Sequence, residues 1–273
     1  MAHPQIAAFA RLADGGAKPT RLLAGQKTLL GRTMHAISYD AIHDEFVVPQ
    51  QFGQAILTFR GGANGEEAPI RVIQGPRTQL RDLARLDVDP VHNEIFVPMS
   101  DSVLVYDREA SGNVAPIRVI KGPDTQLGAG ALAVDPVNNV LVVSGRTPGG
   151  QDRRTYLRIF NRTDEGNVKP KRVIGGPKSG LRQLGGPFTV YPPRGLIIAS
   201  VRGQAGVLAS DESYVAVWSI EDNGDVPPRW KIGGPQGVLR MPRGVTLDPK
   251  NKSLIVTDKR LNAVLTFHFP EIF

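Results

Sequence analysis

Cysteine is absent from the 273 residues, which excludes disulfides, thiolate catalysis and Cys-ligated zinc. No apolar run approaches the ~20 residues that a membrane-spanning helix needs. The first 25 residues lack the apolar core of a secretory leader. These absences fit a soluble chain without membrane insertion, either cytoplasmic or the mature form of an exported protein. No stretch shows a sustained 3.6-residue apolar period with caps, so helices of consequence are excluded. There is also no His-x-x-x-His zinc pair, serine nucleophile elbow or phosphate-binding glycine loop. Aromatics are scarce at 6%, whereas 30 Gly and 22 Pro require many turns between short elements. With 41% hydrophobic and 22% charged residues the chain lies in the globular range. Its net charge of +7 favours anionic partners.

What is present is a repeat. Pro-x-Arg occurs at Pro19–Arg21, Pro69–Arg71, Pro116–Arg118, Pro170–Arg172 and Pro227–Arg229. Each is followed by a Gly-rich turn, at Gly25, Gly75, Gly122, Gly176 and Gly234, and then by a leucine in register. Next comes a short apolar strand that ends in Asp40-Ala41, Asp89-Pro90, Asp135-Pro136, Tyr191-Pro192 or Asp248-Pro249. The second copy shows four runs rich in Val, Ile, Leu and Tyr, at 83–89, 94–98, 102–107 and 117–121, each bounded by turn formers. Each unit therefore reads as four strands, with the Asp landmarks as turn formers.

Four-stranded sheets repeated about five times bury both faces only by packing radially on one another, and closure protects their edges. This predicts an all-β, five-bladed β-propeller of four-stranded antiparallel blades, one domain over residues 1–273. Six blades is the alternative. Third-strand candidates number six, because 5–10 and 263–268 both fit. The ring is expected to close with N- and C-terminal strands, 20–24 and 244–269, sharing a blade. Leu239-Arg-Met-Pro-Arg-Gly-Val-Thr-Leu-Asp248, with 254–257 after it, and Glu94-Ile-Phe-Val97 with 103–106, resemble the NHL-repeat family of propellers. That resemblance implies architecture. It says little of function, because the fold hosts enzymes and binding modules alike.

Candidate site residues lie in the loops and at departures from the repeat. Connections between second and third strands are short in most units but lengthen to 144–155 and 201–213 in the third and fourth. Loops on a rigid scaffold are where recognition resides. The same face should carry Arg81, Arg182 and Arg240 from the turn-to-leucine segments, with Arg146, Arg153, Arg154 and Arg202 from the long loops. Arg85 and Asp87 replace small residues on the second innermost strand. They read as a charged pair near the channel or, preferably, as an ion pair between blades. His35 and Arg243 precede two innermost strands and are placed at the channel mouth.

The resulting reading is a non-enzymatic binding or scaffold propeller with no catalytic residues, metal or cofactor. It recognises a protein partner, or an anionic polymer or nucleic acid, through the loop face of blades 3 and 4. The Arg-bearing loops lack the interleaved aromatics that stack bases. The resemblance also admits a calcium-dependent lactonase or hydrolase, or a lyase, at the channel, but the positions of its ligands are here mostly Ala, Pro, Gly and Arg. Glycan binding between blades is a third possibility.

Overall fold

The computed structural model describes residues 4–32, 34–146, 154–202, 213–234 and 236–273. Among these there is no α-helix; the strands are joined by turns and single 3-10 turns. By contact the chain divides into two compact units, Met1–Val97 with Val105–Ile117, and Pro98–Leu104 with Arg118–Phe273.

In the first unit β1 (Gln5–Ala8) pairs antiparallel with β2 (Arg21–Ala24). The first blade sheet follows as a meander of β3 (Ser38–Asp40), β4 (Glu45–Gln50), β5 (Ala55–Arg60) and β6 (Arg71–Ile73). The second consists of β7 (Asp87–Asp89), β8 (Glu94–Pro98), β9 (Ser102–Asp107) and β10 (Arg118–Lys121). The division between the units falls within this sheet.

The second unit holds the third sheet, β11 (Ala129–Asp135), β12 (Val140–Gly145), β13 (Tyr156–Asn161) and β14 (Arg172–Ile174). In the fourth sheet the innermost strand is broken into β15 (Gln183–Leu184) and β16 (Thr189–Tyr191). Both pair with β17 (Leu196–Arg202), which is followed by β18 (Tyr214–Ser219) and β19 (Trp230–Gly233). Gly185-Gly186-Pro187 lies at the break, where glycine weakens a strand and proline cannot donate to a ladder. The fifth sheet hydrogen-bonds as three strands, β20 (Pro242–Asp248), β21 (Ser253–Asp258) and β22 (Ala263–His268). Five antiparallel blade sheets of this kind make the fold a five-bladed β-propeller.

The second and third strands of the first four sheets are buried along almost their whole length, as expected for sheets covered on both faces. In the second unit one apolar cluster joins the third and fourth sheets through Val142, Ile159, Ala199 and Trp218. Another joins the fourth and fifth through Ile198, Val217, Leu254 and Val256. In the first unit Leu23 and Ile6 pack with Phe46, Leu57 and Phe59.

A second device ties successive repeats. The glycine in the turn before each outermost strand forms a parallel bridge with the outermost strand of the preceding repeat, in the pairs Leu23–Gly65, Ile73–Gly112, Ile120–Gly166 and Ile174–Gly224. Gly166 N–H donates to the Val119 carbonyl at 2.8 Å, and its own carbonyl accepts from Lys121 N–H at 3.0 Å. The other three repeat this exchange. These glycines have φ between 65° and 84°, which few other residues adopt without cost. The residue after each glycine reaches the preceding Gly-rich turn: Asn113 accepts from Arg77 N–H at 2.8 Å, Asn167 from Asp124 N–H at 2.9 Å and Asp225 from Ser179 N–H at 2.9 Å.

That turn is closed internally by a buried hydroxyl. Thr125 Oγ1 donates to the Gly122 carbonyl at 2.6 Å and accepts from Leu127 N–H at 3.3 Å; Thr28, Thr78 and Ser179 do the same. The aspartates after the innermost strands form turns. Asp89 accepts from Val91 and His92 N–H at 3.0 Å each and contacts His92 Nδ1 at 2.8 Å. Of the repeated Pro-x-Arg arginines, Arg71 pairs with Glu45, Arg172 with Glu221 and Arg229 with Asp222.

Thr125→Val preserves shape but leaves a buried carbonyl and N–H unpaired. It is expected to cost about 2 kcal/mol in urea unfolding; a change within the error of the measurement would show that the turn does not depend on this hydroxyl.

Candidate functional site: an arginine cluster in the second unit

Strand ends bring several of the candidate arginines to one end of the second unit's sheets. Arg202 closes β17 opposite Gln183 of β15, and Arg243 follows Pro242 at the start of β20, next to a register shift. The broken innermost strand lets β20 approach. A Cβ on Gly185 would lie 2.1 Å from the Pro242 carbonyl oxygen, and one on Gly186 1.9 Å from that of Arg243. Only glycine allows the two segments to come so near.

Arg202 and Arg243 are both half-buried. Burial holds the Arg202 guanidinium below its ordinary range, and the positive charge of Arg243 lowers it further. Arg202 Nε is inaccessible and has no hydrogen-bond partner among the described residues. Two half-buried like charges thus adjoin, an arrangement that favours an incoming anion. The carboxylate at the same strand ends, Asp258, is buried and already engaged. Its oxygens accept from the backbone N–H groups of Arg240, Met241, Arg260 and Leu261 at 2.7–3.1 Å.

Other candidate arginines lie at strand ends of the same unit. Arg182 is exposed, and its carbonyl accepts from Thr155 N–H at 3.0 Å. Arg240 is exposed and donates to the Gly237 carbonyl at 2.7 Å. Arg146 is exposed at the end of β12, and Arg154 is half-buried before β13; Arg182 and Arg154 have further polar contacts. Arg153 lies outside the described residues, as do most of the two long loops, 147–153 and 203–212. The loops leave from Gly145 and Tyr156, and from Arg202 and Tyr214, which pair at the ends of their hairpins or one residue beyond.

The remaining candidates belong to the first unit. His35 and Arg81 are exposed; Arg85 and Asp87 are half-buried. Arg85 precedes β7 rather than lying on it, because the strand begins at Asp87. Asp87 accepts from Ser38 Oγ on the neighbouring innermost strand β3 at 2.8 Å. All four have additional polar contacts. Among the described residues no three His, Asp or Glu side chains are grouped as a metal site would require.

Sequence reasoning passed over Arg158. It is fully buried on β13 and donates to the Gly145 carbonyl at 3.2 Å and the Arg146 carbonyl at 3.5 Å, at the root of a long loop. Burial lowers its proton affinity. A signal existed: pairing with the outermost strand puts Arg158 at the register position of Leu57 and Ala216 in sister strands.

No protein-family model and no curated protein matches the chain, so the NHL likeness rests on its motifs alone. Among solved structures 729 chains match. One is a hydrazine synthase chain from Kuenenia stuttgartiensis, with TM-score 0.60 and 14% identity over 93% of this chain and 68% of that one. A likeness at that identity shows the shared β-propeller fold alone.

Gly186→Ala forces a Cβ into the Arg243 carbonyl. It is expected to lower the unfolding free energy by about 2 kcal/mol or more, whereas Gly16→Ala, with nothing within 4 Å of the new carbon, stays within about 0.5 kcal/mol. Equal effects in chemical denaturation would contradict the close approach.

Proposed function

We propose that the chain is a binding propeller, not a catalyst, and that the arginine cluster of its second unit receives an acidic segment of a protein partner. One observation carries this reading: Arg202 and Arg243 stand close together, half-buried, with no carboxylate bonded to either among the described residues. A partly desolvated guanidinium beside a second positive charge is costly. A carboxylate-bearing ligand removes that cost through charge-assisted, two-pronged hydrogen bonds. Arg182, Arg240, Arg146 and Arg154, at strand ends of the same unit, suit an extended acidic stretch better than a single small anion.

An acidic polypeptide is favoured over nucleic acid by the aromatic inventory. Tyr156 and Tyr214, at the same strand ends, already lie under cations, with Arg158 5.7 Å and Lys231 5.0 Å from their ring centres. Base stacking needs a free ring face.

The test uses a fluorescent poly-glutamate peptide and an oligothymidylate of equal charge, titrated against the full chain by anisotropy. Peptide binding should weaken at least ~10-fold in Arg202→Gln/Arg243→Gln, while Arg81→Gln in the first unit leaves it unchanged. Undiminished peptide binding by the double variant would overturn the site, and tighter binding of the oligonucleotide would overturn the partner class.

A further inference from the structure

One position of the repeat sets the first blade sheet apart. In the first four sheets the residue before the Gly-rich turn meets the segment that leads into the third strand. In the second sheet Lys121, at the end of β10, reaches Asp101, with Nζ 3.1 Å from Oδ2. In the third it is Gly175, where an added Cβ would lie 2.2 Å from the Tyr156 ring at the start of β13. In the fourth it is Gly233, where a Cβ would lie 2.8 Å from the Ser213 carbonyl oxygen, just before β18. An ion pair or a close approach thus fills the place in each. In the first sheet the residue is Gln74. Its Nε2 donates to the Gly53 carbonyl at 2.8 Å, in the turn between β4 and β5. Beside this bond lies a cavity of about 540 Å³, lined by Gly53, Gln54, Gln74, Gly75, Pro76 and Leu80, all residues of the first unit.

No charged side chain is among these six. Two are amides, and each amide both donates and accepts. Gln74 commits one N–H to Gly53; among the described residues its side-chain carbonyl oxygen and the whole Gln54 amide have no partner. The turn that presents them is already fixed: Gln50 Oε1 accepts from Gly53 N–H, and Gln54 N–H donates to the Gln51 carbonyl at 3.3 Å. Pro76 and Leu80 add apolar surface. Phe52, next to Gly53, is 72% exposed, more than any other aromatic ring among the described residues.

We propose that this cavity binds a single neutral sugar residue. A sugar ring carries hydroxyls that donate and accept, together with apolar C–H faces. Amides answer a pair of hydroxyls in both directions, whereas a carboxylate only accepts and an ammonium only donates. The C–H faces suit Pro76 and the uncovered Phe52 ring, since a few placed polar groups among apolar ones are what fixes a small ligand. With no cation among its lining groups, the cavity offers a phosphate or carboxylate no counter-charge, so its ligand class differs from that of the arginine cluster. The site is single rather than repeated, because the corresponding place is filled in the second, third and fourth sheets.

Saturation-transfer NMR on the full chain tests this, with the methyl glycosides of glucose, galactose, mannose and N-acetylglucosamine as probes. At least one should receive saturation and titrate to a plateau that is the same at low and high salt. Gln74→Leu, which keeps the length and removes the amide, should raise its dissociation constant ~5-fold or more. Gln54→Ala removes a side chain that bonds nothing in the protein and should weaken binding likewise, an effect that a merely structural role would not produce. Both glutamines are exposed, where substitutions change stability little. Arg202→Gln/Arg243→Gln should leave the affinity unaltered. Transfer to none of the four glycosides, binding indifferent to both glutamine variants, or binding lost at high salt would each overturn the proposal.

Discussion

The glycine bridge between successive repeats is the interaction on which the remaining order depends. A blade sheet is only three or four strands wide and has two apolar faces, so it cannot stand alone in water. Side-chain packing gives each sheet a neighbour, but packing is non-directional and sets no register between them. The exchange of backbone hydrogen bonds at Gly65, Gly112, Gly166 and Gly224 sets that register. It fixes one outermost strand against the turn of the next repeat, and the side chain that follows then caps the preceding Gly-rich turn. Each bond contributes only about 1 kcal/mol net; its larger effect is to convert a run of similar sheets into an ordered succession.

That succession leaves the strand ends free to vary. In the second unit the variation is concentrated where β12 leads to β13, where β17 leads to β18, and where β15 meets β20. The buried Arg158 bonds the Gly145 and Arg146 carbonyls at one loop root, both neutral acceptors. Asp258, by contrast, spends its charge on backbone N–H groups. The outcome is a strand-end surface on which several arginines are positioned by the backbone and the Asp258 carboxylate is already committed.

Much of the fold was legible because it is local and repeated. The Gly-rich turns, the Asp landmarks and the four short runs per unit are all sequence-adjacent features with a physical reason for their residue types. The broken innermost strand of the fourth sheet was less visible: Gly185-Gly186-Pro187 reads as a turn, and its purpose appears only with the Pro242 and Arg243 carbonyls lying against it. Arg85 was expected on a strand that in fact begins two residues later. The candidate arginines were found from loop length and departures from the repeat. That Arg202 and Arg243 adjoin, while Arg81, Arg85, Asp87 and His35 belong to the other unit, depends on contacts between distant segments that local pattern does not encode.

The most direct measurement is native-state hydrogen exchange of the four bridging glycine amides. If these bonds fix the succession of sheets, the amides of Gly65, Gly112, Gly166 and Gly224 will exchange only with the opening that releases the central strands β4, β12 and β17, and at the same free energy. Exchange at rates typical of exposed turns, with the central strands still protected, would show that packing alone orders the blades.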